Sequence, residues 1–202
     1  MVCSDKDGMT LTADVDADGR LDEIRDPHRS GDATVVFSRA TTAAEVRVGQ
    51  GRTRWQKARS ALSPDMETRG AFGDFDGDGY LDLALFHSQE DDGDYARDNV
   101  TVHEVRYGPL ARDLSGSRTA DIRMAALGFV YAALASDENH DGRAELHVFQ
   151  STGDGGVNEY TGRGEGNGMT LSLVKGGFHG RGDVDALDPG WPDFGICAYP
   201  AA

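Results

Sequence analysis

The chain has 202 residues, of which 38% are hydrophobic and 27 are glycine, and it carries a formal net charge of −15. That length suits one domain with a sizeable core, and the glycine content suits a loop-rich β protein better than a helical bundle. The acidic balance, with lysine and arginine scattered, argues against nucleic acid, whose phosphates call for a basic face; no apolar run approaches membrane-spanning length.

Residues 9–13 read as a short apolar strand leading into Asp14-Val15-Asp16-Ala17-Asp18-Gly19-Arg20-Leu21-Asp22. Glu23-Ile24-Arg25 leaves that loop as a strand expected to be rather exposed. A polar turn at 29–32 precedes a strand at 34–37. Trp55, Ala58 and Leu62 lie at loosely helical spacing, so a helix over 53–62 is expected, ending before Pro64. A second strand–loop–strand unit follows. Residues 70–73 lead into Asp74-Phe75-Asp76-Gly77-Asp78-Gly79-Tyr80-Leu81-Asp82, and Leu83-Ala84-Leu85-Phe86 leaves it. An acidic turn at 90–98 and a strand at 100–107 complete the unit. The alanine-rich stretch 120–135 is helical on propensity alone, yet the phase of the pattern demands a strand at 129–135, with room for a short helix around 121–127. The third unit is Asp137-Glu138-Asn139-His140-Asp141-Gly142-Arg143-Ala144-Glu145, then Leu146-His147-Val148-Phe149 and a turn at 152–157.

Asp14, Asp74 and Asp137 open these loops 60 and 63 residues apart. Each loop places oxygen-bearing side chains at positions 1, 3, 5 and 9 and glycine at 6, where the chain must turn sharply, often at positive φ. Hard divalent cations take six to eight oxygens, and alternate acidic side chains turned inward supply most of them. Position 7 (Arg20, Tyr80, Arg143) would contribute its backbone carbonyl. Single Asp-Gly turns are ordinary; three nine-residue matches with every ligand position filled point to bound calcium, at about three sites. Carboxylates roughly 5 Å apart repel by about 1 kcal/mol per pair in water and about 3 kcal/mol at a protein surface, and a dication reverses that balance. An EF-hand is excluded, because it needs glutamate at position 12, where this chain has Arg25, Leu85 and Val148. The apolar, branched and aromatic residues after positions 82 and 145 favour strands instead. Fixed-period self-similarity marks an array of units that bury their faces against one another.

Gly70-Ala71-Phe72-Gly73-Asp74-Phe75-Asp76-Gly77-Asp78-Gly79-Tyr80-Leu81-Asp82 resembles the FG-GAP repeat of integrin α-subunit β-propellers and the related bacterial VCBS-type repeats. The resemblance is specific over the three loops and their exit strands. It implies an all-β small or partial propeller, one blade of about four strands per repeat, with calcium in the loop between the first two strands. Carried over by position, the ligands are Asp14, Asp16, Asp18, Arg20, Asp22; Asp74, Asp76, Asp78, Tyr80, Asp82; and Asp137, Asn139, Asp141, Arg143, Glu145. Integrin propellers have seven such units and this chain shows three, at about 9–67, 68–127 and 128–176. A degenerate closing unit at 177–202 contains Asp183, Asp185, Asp188 and Asp193. Two architectures follow: four blades closed by the two chain ends, or an open arc completed by a second copy. Cys3 and Cys197 lie where a closing propeller brings its ends together and read either as a disulfide, as two unrelated thiols, or with Cys3 as the acylated residue of a lipoprotein.

Weak calcium sites fill only outside the cell, so the expected protein is secreted or surface-exposed. It is expected to bind a protein or glycan partner without catalysis. The alternatives are a secreted polysaccharide hydrolase or lyase, needing only two carboxylates that nothing here selects, and a self-assembling subunit. Three dications would reduce the charge to about −9. Asn99-Val100-Thr101 fits a glycosylation acceptor, and Arg181-Gly182-Asp183 occurs by chance in so Arg-, Gly- and Asp-rich a chain.

Overall fold

The computed structural model describes residues 2–26, 31–38, 44–48, 66–89, 102–125, 128–153, 156–165, 167–176 and 197. Every described element is a strand: β1 (Cys3–Ser4), β2 (Thr10–Ala13), β3 (Asp22–Arg25), β4 (Thr34–Phe37), β5 (Ala44–Arg47), β6 (Met66–Gly73), β7 (Asp82–Gln89), β8 (Val102–Tyr107), β9 (Arg118–Arg123), β10 (Val130–Ser136), β11 (Glu145–Gly153), β12 (Gly156–Gly162), β13 (Gly164–Glu165), β14 (Gly168–Thr170) and β15 (Ser172–Lys175). They form three sheets, ordered β1-β2-β3-β4-β5, β13-β14-β9-β8-β7-β6 and β10-β11-β12-β15. The chain is therefore all-β in its described parts, and those parts draw no closed ring. The helix expected at 53–62, the turn at 90–98, the acceptor at 99–101 and the closing unit, apart from Cys197, lie outside the described residues.

Each sheet is a meander of antiparallel neighbours, the pairing that short connections permit. One excursion breaks the order. β13 and β14 leave the third sheet's sequence and join the second, where Met169 and Thr170 pair in parallel with Ile122 and Arg123.

The second sheet lies between the other two and buries both faces. Leu83 and Leu85 point one way, toward Leu11, Ile24, Val35, Phe37 and Val48 of the first sheet. Ala84 and Phe86 point the other way, toward Val130, Ala133, Leu146 and Val148 of the third. A strand buried on both faces reads as an unbroken apolar run rather than an alternation, which accounts for Leu83-Ala84-Leu85-Phe86. The first sheet shows the alternative pattern: Leu11 and Ala13 are buried while Thr10 and Thr12 are half-buried. In β10 a register shift between Val130 and Ala132 resets the alternation, as bulges do. Val130, Ala133 and Ala135 thereby all reach the shared core.

Two expectations are corrected. β3 is not an exposed strand, since Ile24 is wholly buried and only Arg25 is exposed; the single-strand view missed that the second sheet covers it. No helix begins at 121, because Arg118–Tyr107 through Asp121–Glu104 pair β9 with β8, and ladder pairing overrides alanine-weighted propensity.

Cys3 and Cys197 form a disulfide, with Cα atoms 5.0 Å apart. Cys197 N–H also donates to Ser4 O at 2.9 Å, extending the edge of β1. The sulfur that an acyl anchor on Cys3 would need is taken up in that bond.

Candidate metal centres

The three acidic loops join β2 to β3, β6 to β7 and β10 to β11. Their registers agree: Ala13 pairs with Asp22, Gly73 with Asp82 and Ser136 with Glu145. The residue before position 1 therefore faces position 9 every time, and the loop between them is held to one length.

Within that frame the same hydrogen bonds recur. The position-1 carboxylate accepts from the backbone of positions 5 and 6: Asp18 and Gly19 to Asp14, both 3.0 Å; Asp78 and Gly79 to Asp74, 3.1 and 2.9 Å; Asp141 and Gly142 to Asp137, both 3.0 Å. Position 5 accepts the N–H of position 7, from Arg20, Tyr80 and Arg143, at 2.9–3.0 Å. Gly19, Gly79 and Gly142 take φ of +83°, +88° and +85°, as the spacing predicts for position 6. Position 4 is also left-handed. It is Gly77 in the second loop, but Ala17 and His140 in the others, at φ +56° and +59°, a conformation that costs a non-glycine residue about 1 kcal/mol or more.

Position 9 is the most deeply held. Asp22 accepts from Val15 N–H at 3.0 Å and Ser38 N–H at 2.7 Å. Asp82 accepts from Phe75 N–H and Gly108 N–H, both at 2.7 Å. Ser38 and Gly108 each follow the third strand of their hairpin series, so the sheet itself supplies the second donor. In the third loop Glu145 is one methylene longer. It accepts Glu138 N–H at 3.1 Å, and Arg163, the residue after β12, reaches it with Nη2 at 2.7 Å. Burial raises the pKa of Asp22 and Asp74, against their backbone hydrogen bonds. Burial pushes Asp82 up to about 7, with help from the charges of Asp76 and Asp74. Such a site resists its own ionisation and would be relieved by a cation.

Two groups of three carboxylate oxygens lie within 4.8 Å of one another: Asp14, Asp16, Asp18 and Asp74, Asp76, Asp82. Asp16 Oδ1 and Asp76 Oδ1 are buried and accept no hydrogen bond among the described residues. A buried carboxylate oxygen without a donor is costly, and a dication beside it removes that cost, so the first two loops fit a hard cation. The third is arranged differently. Asn139 replaces the aspartate of position 3, accepting Asp141 N–H at 2.8 Å on Oδ1 and donating Nδ2 to Glu145 at 2.7 Å. Both polar ends of that side chain are spent inside the loop. The side chains of Arg20, Tyr80 and Arg143 are exposed.

Sequence reasoning missed the arginines. Arg112 binds Asp16 Oδ2 through Nε at 2.8 Å and Asp18 Oδ2 through Nη2 at 3.2 Å. Arg118 binds Asp76 Oδ2 at 2.7 Å, and Arg163 binds Asp141 Oδ2 at 3.2 Å as well as Glu145. Each acidic loop thus has a guanidinium paired with its carboxylates, delivered from 96, 42 and 18 residues away in the shortest contacts. No local motif encodes such partners.

The stretch from β6 through the second loop and β7 into β8 decides the family resemblance. Residues 68–103 match the FG-GAP repeat. No curated protein and no solved structure matches the chain. The FG-GAP match spans the loop with the cage of Asp74, Asp76 and Asp82 and the strand whose two faces are both buried. The first and third loops lie outside it, and their likeness to this FG-GAP unit rests on the shared register and hydrogen bonds above.

Proposed function

We propose that this chain is a calcium-stabilised, non-catalytic binding module of the FG-GAP type, working outside the cell or on its surface. The observation that carries the reading is the pair of cages at 14–22 and 74–82, each with a buried oxygen that has no donor, one of them within the FG-GAP match. Calcium bound there would supply charge compensation and fix the loops; it would perform no chemistry. The ligands would be the side chains at positions 1, 3, 5 and 9 with the carbonyl of position 7, including Asp137, Asn139, Asp141 and Glu145 once Asn139 releases its internal bonds.

Three units of about 9–67, 68–127 and 128–176 would form propeller-like blades, with 177–202 closing the array. The Cys3–Cys197 disulfide supports an oxidising compartment and ties the two ends together. No described helix is long and apolar enough to cross a membrane. The partner would be a protein or glycan met by a surface that the cations keep rigid.

The test is a calcium titration of the melting temperature with a calcium-dependent pull-down. A rise in melting temperature that saturates, with partner retention lost in chelator, is expected. A melting temperature indifferent to calcium overturns the reading.

A further inference from the structure

The segment after β8 touches two cages at once. Gly108 N–H donates to Asp82 of the second loop at 2.7 Å, and it packs so closely on Tyr80 and Leu81 that a Cβ there would lie 2.6 Å from Leu81 O. Two residues on, Leu110 N–H donates to Val15 O of the first loop at 2.9 Å. Two further on, Arg112 spans Asp16 and Asp18. Leu110 and Leu114 are wholly buried among the side chains joining the first and second sheets, and Leu114 N–H closes a turn on Ala111 O at 2.7 Å. The segment is therefore a short, anchored strut.

On the calcium reading just given, we infer that Arg112 is a positioning residue of the first cage and that residues 108–112 couple that cage to the second. The Asp16 side chain is only 9% exposed, and a buried carboxylate needs a partner for each oxygen. Arg112 takes Oδ2 and leaves Oδ1, which has no donor, turned to the cation. Without the guanidinium fork, Asp16 is free to rotate and offer its oxygens elsewhere. A cation at the second loop neutralises the carboxylates around Asp82, fixes Gly108 against it, and so fixes Arg112 four residues later. The guanidinium charge by itself works the other way, since it repels a dication. The two contributions thus differ in sign, and an experiment separates them.

The amides of Gly19 and Gly79 report on the two loops separately in a two-dimensional NMR titration of the oxidised full chain with calcium chloride. In the wild type both resonances respond. Asp78→Ala is expected to abolish the Gly79 response and raise the Gly19 midpoint about tenfold, within the range usual for coupled sites. Arg112→Met is expected to raise the Gly19 midpoint about tenfold, and in that background Asp78→Ala no longer shifts it. Arg112→Lys, which keeps the charge but lacks the fork, is expected to fall between. A Gly19 midpoint that is unchanged or lower in Arg112→Met overturns the proposal, as does a tenfold effect of Asp78→Ala that survives without Arg112. Should Arg112→Met fail to fold, Arg112→Lys decides alone: a raised Gly19 midpoint supports the proposal and an unchanged one overturns it. If neither glycine responds in the wild type, the calcium reading itself falls, and this inference with it.

Discussion

Gly108 gives its backbone N–H to Asp82 Oδ1 at 2.7 Å, so the residue just after β8 holds the last acid of the loop between β6 and β7. Ser38 does the same for Asp22 at 2.7 Å. Position 9 is thereby a piece of the fold as much as of any metal site, whereas Asp78, at position 5 of the same loop, is exposed and accepts the Tyr80 N–H from within that loop. Asp82→Ala strands two buried donors, Phe75 N–H and Gly108 N–H, and is expected to cost roughly 2–4 kcal/mol in chelator and more in calcium, where a ligand is lost as well. Asp78→Ala is expected to lower stability in calcium, by about 2–3 kcal/mol if the site is near hundredfold saturation, and to change little in chelator. Urea unfolding of both variants under both conditions checks the contrast.

His87 provides a pH dependence well away from the acidic loops. It is buried on β7, with Nδ1 2.8 Å from Thr68 Oγ1, and burial together with the Arg106 charge lowers its pKa from 6.5 to about 4. The unfolded chain takes up a proton below pH 6.5 while the fold resists until about 4. Stability is therefore lost as pH falls through that window, by up to about 3 kcal/mol. His87→Gln lacks the titration. Measured in saturating calcium, the advantage of wild type over this variant is expected to shrink by about 2–3 kcal/mol between pH 7.5 and 4.5. A difference independent of pH counts against the assignment.

Gly73, just before the second loop, and Gly79, inside it, have opposite reasons to be glycine. A Cβ on Gly73 would sit 2.8 Å from Ala144 Cβ and 2.9 Å from Ala135 Cβ, wedging the second sheet from the third. A Cβ on Gly79 would meet nothing within 4 Å, but its φ is +88°. Gly73→Ala is expected to cost about 1–3 kcal/mol by overpacking, and Gly79→Ala about 1 kcal/mol through backbone strain. Thermal melts in chelator separate these effects from any cation.

The disulfide spans a sequence separation of 194 residues. On the chain-entropy account such a closure stabilises by about 5 kcal/mol, the upper end of what a cross-link supplies. Reduction, or Cys197→Ser, is expected to lower the unfolding free energy by an amount up to that figure. A variant as stable as the oxidised wild type would show that the bridge restrains nothing in the unfolded chain.

The acidic loops and their exit strands were legible because each is written locally; a disulfide was one of three readings of the two cysteines, and the structure selects it. Position 6 was legible for the same reason: glycine announces positive φ. Ala17 and His140 adopt that conformation without announcing it, because the bonds to Asp14 and Asp137 close the turn around them. Arg112, Arg118 and Arg163 were illegible because a guanidinium among 20 basic residues acquires its partner only when sheets stack. Asn139 looked like an ordinary ligand substitution, and only its bonds to Asp141 and Glu145 show that its polar groups are already engaged. The burial of β3 was hidden for a related reason: a four-residue strand carries too little pattern to reveal a covering sheet.

Gly164–Glu165 and Gly168–Thr170 leave the chain order of one sheet to finish the edge of its neighbour. Arrays of this kind invite editing by cassette, one module removed or one appended. Here excising 128–176 would also strip two strands from the sheet before it and bare β9 to solvent. The molecule is dovetailed, and any shortened version has to be cut along the joint rather than along the repeat.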